Sequence, residues 1–98
     1  MIDGEIYTLD CDQKNIFAFC ERGTCKTSCY ICVYCYCGED RIAKSRSGFI
    51  RGVRGDSPSH LATEQERERF HRVLKENGYK WNQANKVIIK NGTEIIKI

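Results

Sequence analysis

The 98-residue chain sets 16 Lys and Arg against 13 Asp and Glu, a formal net charge of +3, and 41% of its residues are hydrophobic. That composition suits one compact domain with a modest core and excludes two. The opening MIDGEIYTLD carries three acids and no apolar run of signal-peptide length, and no stretch approaches a membrane span, so the expectation is a cytoplasmic protein with no membrane partner.

Glu5 to Cys11 and Ile16 to Glu21 are short runs of strand-forming residues, and the polar DQKN between them reads as a hairpin turn. ERGTCKTS makes a loop into CKTSCYICVYCYC, which holds five of the seven cysteines. An odd number of cysteines in a reducing compartment argues against a disulfide framework. Cys29, Cys32 and Cys35 supply the first three positions of a bacterial iron–sulfur run, but Cys37 follows after one residue and no Cys-Pro pair comes next. Structural zinc would need two knuckles on tight turns, and the stretch offers a single cluster, with Cys25, Cys29, Cys32 and Cys35 as the ligand set.

Tyr30, Ile31, Val33, Tyr34 and Tyr36 favour an extended strand instead. Alternation then places Cys29, Ile31, Val33, Cys35 and Cys37 on one face and Tyr30, Cys32, Tyr34 and Tyr36 on the other, so Cys32 and Cys35 do not share an ion. The leading expectation is a cysteine-rich central strand with reduced thiols, no metal and no cofactor. A zinc-stabilised module is the alternative, and a thiol-dependent redox protein or enzyme using loop-end Cys25 or Cys37 is a further one.

RIAKSRSGFIRGVR carries Arg41, Lys44, Arg46, Arg51 and Arg54 with no acid among them, whereas residues 1–40 hold seven acids and three bases. With Phe49 and glycines interleaved, this segment has what a nucleic-acid backbone requires: cations, close main-chain approach and an aromatic ring to stack on a base. Tyr34 and Tyr36 would extend the stacking surface. The plainer reading is a solvated loop and edge strand whose charges discourage edge pairing. Ser47 to Val53 is a weaker strand, thinned by glycine, and the RGD at Arg54 to Asp56 is too short a motif to carry meaning. His60 and His71 show no cysteine or serine partner of a known motif, so no catalytic residue is expected.

ATEQERERFHRVLKENGY has helix punctuation at both ends: Thr63 with Glu66 makes a capping box, and Gly78 stands where a left-handed residue closes a helix. Phe70, Val73, Leu74 and Asn77 form a narrow stripe that must lie on a sheet. In KVIIKNGTEIIKI, Asn91-Gly92 between two strand-like runs signals a hairpin.

The segment from Leu61 to Ile88, through Ala62-Thr63, Glu66, Phe70, Leu74, Gly78-Tyr79 and Trp81, resembles the C-terminal part of small uncharacterised bacteriophage and prophage-type proteins of gut bacteria. The resemblance implies phage descent and brings no activity or site residues with it. The expected fold is α+β: a mainly antiparallel sheet of about five to six short strands with one helix. It is a single domain divided as a strand-rich half 1–56, a helix 63–77 and a C-terminal hairpin 79–98. The expected role is a non-enzymatic interaction module binding protein or nucleic acid, the latter through Arg41, Lys44, Arg46, Phe49, Arg51 and Arg54.

Overall fold

A computed structural model describes residues 2–10, 14–21, 29–44 and 58–97. They form one helix and eight strands in two antiparallel sheets, an α+β architecture. Strands β1 (Ile6–Leu9), β2 (Ile16–Phe19), β3 (Cys29–Tyr36), β4 (Glu39–Lys44) and β5 (Ser59–Leu61) make a five-stranded sheet in the order β4-β3-β2-β1-β5. Helix α1 (Glu64–Glu76) follows, and β6 (Tyr79–Asn82), β7 (Val87–Lys90) and β8 (Thr93–Lys97) make a second, three-stranded sheet. The strand count exceeds the expected five to six because β4 and β5 are short or polar edge strands, and because a strand at Tyr79–Asn82 turns the C-terminal hairpin into a three-stranded meander.

The helix begins as its sequence dictates. The Glu66 amide donates to Thr63 Oγ1 at 3.3 Å and the Thr63 amide donates to Glu66 Oε1 at 2.8 Å, so two otherwise unpaired donors are satisfied. Gly78, at φ +79°, closes the C-terminus, and its carbonyl accepts from the Asn91 amide at 2.9 Å, which ties the helix end to the β7–β8 turn. In that turn Asn91 and Gly92 both have positive φ, as a tight hairpin requires.

Phe70, Val73 and Leu74 are fully buried on the five-stranded sheet, against Ile6, Ile16, Ala18, Ile31 and Val33, and Trp81 and Ile88 of the second sheet join the same cluster. The opposite face of the sheet has its own buried cluster of Tyr7, Leu9, Phe17, Cys29 and Cys32. The strict alternation expected of β3 therefore fails at its start. Phe19 pairs with Cys29 while Ala18 pairs with Ile31, leaving Tyr30 as an extra residue in a bulge. Tyr30 and Ile31 consequently both reach the helix-side core, and Cys29 moves to the face of Cys32.

The two sheets are fastened through the N-terminal residues. Tyr30 stacks on Trp81 with ring centroids 5.0 Å apart, and Trp81 Nε1–H donates to the Gly4 carbonyl at 3.3 Å. Asp3 accepts from the Tyr30 hydroxyl and the Glu21 amide and pairs with Lys86. Burial opposes ionisation of Asp3, but the bonds from Lys86, Glu21 and Tyr30 outweigh it and hold the carboxyl below its usual range. Glu5 bridges Arg67 of the helix at 2.7 Å and Gln83 of the β6–β7 turn at 3.2 Å.

Candidate polyanion interface around Tyr79

The cation-rich segment enters the sheet as edge strand β4, and its register decides where the charges point. Val33 pairs with Ile42 and Cys32 with Ala43; the first pair belongs to the helix-side cluster and the second to the opposite one. Arg41 therefore projects on the face away from the helix, where its guanidinium lies 5.3 Å from the Tyr36 ring centroid and 3.4 Å from Glu39. Lys44 projects on the helix side. Arg46, Phe49, Arg51 and Arg54, like Cys25 and the proposed strand Ser47 to Val53, lie outside the described residues. Tyr34, half-buried against the Cys32 cluster, is poorly placed to stack, whereas Tyr36 is 60% exposed.

On the helix side Lys44 meets a residue that charge and motif reading passes over. Its Nζ donates to the Tyr79 hydroxyl at 3.0 Å and lies 5.0 Å from the ring centroid, and Lys90, opposite Tyr79 in the β6–β7 pair, sets its own Nζ 5.1 Å from the same centroid. Tyr79 is half-buried against the core below. Three shallow surface depressions meet at this residue; Lys75 and Lys80 line two of them, and Asp40 and Arg41 the third. Lys44, Lys75, Lys80 and Lys90 are all exposed, and among the described residues none of them has a carboxylate within ion-pair distance. The Lys44 hydrogen bond, with the charges of Lys44 and Lys90 adding, holds the Tyr79 phenol below its ordinary value. Asp40 bounds the cluster on the β4 side and is itself held by Arg69 at 2.6 Å. The sequence signal for this site was the placement of lysines at the helix end, in β6 and in β7, all near one aromatic residue, which linear charge runs do not reveal.

A second cluster lies at the start of the helix. His60 Nδ1 is 2.5 Å from Asp10 Oδ1, and its Nε2 is 2.9 Å from Glu66 Oε1. The histidine thus has carboxylate partners on both ring nitrogens, which its sequence neighbourhood did not suggest. Asp10 and then Glu66 raise its pKa. Glu66 also serves the capping box, so the cluster pins β5 to β1 and to the helix. His71, with its ring edge-on to Phe70 at 5.4 Å, is pushed the other way by burial and by the nearby Arg67.

The cysteines are dispersed. Cys29 and Cys32 are buried beneath one face of the sheet, Cys35 is half-exposed on the other, and Cys37 is exposed in the β3–β4 turn at φ +52°. Cys32, Cys35 and Cys29 are therefore not brought to one point, and among the described residues no group of three or more His, Cys, Asp or Glu is arranged to hold a metal ion. Burial, with Cys32 and Cys20 nearby, pushes the Cys29 thiol far up, so it stays protonated. Among the described residues no helix is long and apolar enough to cross a membrane. No protein-family model, no curated protein and no solved structure matches the chain.

Proposed function

We propose that this protein is a small non-enzymatic cytoplasmic interaction module that holds a polyanion, single-stranded nucleic acid foremost, against the Tyr79 cluster. The observation that carries the reading is an aromatic ring flanked by two ammonium groups, with two more exposed lysines lining the adjoining depressions and, among the described residues, no carboxylate paired with any of the four. Lys44 and Lys90 set two like charges against one half-buried ring, with the exposed Lys75 and Lys80 lining the depressions beside it, and these charges repel one another in the free protein. A phosphate backbone relieves that repulsion, and the ring offers a platform to a base. Arg46, Arg51 and Arg54, with Phe49, would extend the cationic track beyond Lys44, and Arg41 over Tyr36 would meet a strand that wraps the sheet edge. Phage descent belongs to the same proposal and rests on the resemblance of Leu61 to Ile88.

The test is fluorescence anisotropy with labelled single-stranded DNA and RNA and with duplex DNA, across a salt series. If the four lysines neutralise four phosphates, the logarithm of affinity falls with the logarithm of salt at a slope of about −3. Lys44→Ala with Lys90→Ala flattens that slope by about 1.4, and Tyr79→Leu costs about 1–3 kcal/mol of single-strand affinity with little change in slope. Absence of binding to any of these at low salt refutes the proposal and leaves a protein partner.

A further inference from the structure

Strand β4 ends the five-stranded sheet, and among the described residues nothing pairs with its outer side. Its turn fixes which backbone groups are left open. Cys37 and Gly38, both at positive φ, make a two-residue connection between Tyr36 and Glu39, which are opposite one another. In such a hairpin the residues flanking the turn form a hydrogen-bonded pair, and bonded and non-bonded pairs then alternate. The amides and carbonyls of Asp40, Ile42 and Lys44 therefore point outward. The side chains of the same three residues project on the helix side, as Ile42 shows by packing against the core there.

We infer that β4 pairs antiparallel with β4 of a second copy of this chain, centred on Ile42. A twofold axis perpendicular to the sheet keeps each side chain on its own face, so only residues of like parity stand opposite each other. Centred on Ile42, the three outward-facing residues all pair: Ile42 meets the partner's Ile42, and Asp40 meets the partner's Lys44 on both sides of the axis. Each pair exchanges two main-chain hydrogen bonds. Centring on Arg41, Asp40 or Lys44 instead sets like charges opposite each other, which cross-strand pairing penalises. Centring on Ala43 leaves Ile42 against the partner's Lys44. Edge charges discourage pairing where they face their own sign or an apolar surface; in this one register they face the opposite sign. The inference does not rest on the polyanion reading, since it is read without any nucleic acid present.

Sedimentation velocity over a wide concentration series tests it. The wild type is expected to show a reversible monomer–dimer equilibrium. Asp40→Lys and Lys44→Asp, each of which creates two like-charge pairs across the axis, should each raise the dissociation constant about tenfold or more. The double swap Asp40→Lys with Lys44→Asp should return it to within about threefold of wild type. Asp40 also bonds Arg69 and Lys44 also bonds Tyr79, so circular dichroism checks each variant for helix content. Hydrogen exchange of the wild type provides a reading that needs no variant: the Asp40, Ile42 and Lys44 amides gain protection as concentration rises. A monomer throughout, a dimer indifferent to the swaps, or outward amides whose exchange ignores concentration would each overturn the inference.

Discussion

The joint between the two sheets can be measured through Tyr30 and Trp81. The perturbation is a double-mutant cycle of Tyr30→Leu and Trp81→Leu. Each ring is 3% exposed, and their centroids are 5.0 Å apart. Trp81→Leu removes much of a buried indole and the bond to the Gly4 carbonyl, together about 2–4 kcal/mol. Tyr30→Leu removes a buried ring and the hydroxyl bond to Asp3, leaving that carboxylate its partners Lys86 and Glu21, for about 2–3 kcal/mol. Stacked rings are worth about 0.5–1.5 kcal/mol beyond the area they bury, so the double variant should fall short of the sum by about 1 kcal/mol. A chain of this length has on the order of 10 kcal/mol to lose, which keeps the double variant folded. Urea unfolding followed by far-UV circular dichroism reads all four corners without relying on the single tryptophan. Additivity within about 0.3 kcal/mol would show that the rings do not couple the sheets.

Two further outcomes follow from burial and charge. Under native reducing conditions Cys37, and more slowly Cys35, should react with a thiol reagent while Cys20, Cys29 and Cys32 react only on unfolding; mass mapping of the labelled sites checks this, and early labelling of Cys29 contradicts the buried cluster. His60 is raised by Asp10 and Glu66, so its contribution is fully present below about pH 6.5 and is lost as pH climbs through the folded value. His71 is lowered, so its contribution is present above about pH 6.5 and is lost on acidification. The two slopes oppose each other, and His60→Gln should expose a melting temperature that falls as pH drops through this range, an outcome that an unchanged pH profile would contradict.

The elements with local chemistry were legible in the sequence. Thr63, Glu66 and Gly78 bound α1 by contacts within one turn of each end, and Asn91-Gly92 sets its own turn by backbone preference. β4 was not legible as a strand, because an edge strand that half-buries only the adjacent Ile42 and Ala43, one on each face, reads as EDRIAK, without alternation. That miss carried the candidate interface with it: Arg41 and Lys44 look like one patch along the chain, and only the pleat separates them onto opposite faces. The Tyr30 bulge was hidden too, since it arises from the register against β2 rather than from any residue in β3. His60 and Asp10 stand 50 positions apart, and Tyr79 meets Lys44 across 35. Such pairings depend on topology, which no short window contains.

The clasp between the N-terminal residues and the second sheet also bears on when the chain can fold. Trp81 reaches Gly4 across 77 positions and Gln83 reaches Glu5 across 78. Contacts of such separation slow folding, because the intervening loop must close before they contribute. On the ribosome β1, β2 and β3 emerge early, yet the helix and Trp81 that cover their inner face are still unmade or inside the exit tunnel. The first half of the chain must wait with that face uncovered, and folding should be a late event, completed only once β6 and β7 have left the ribosome.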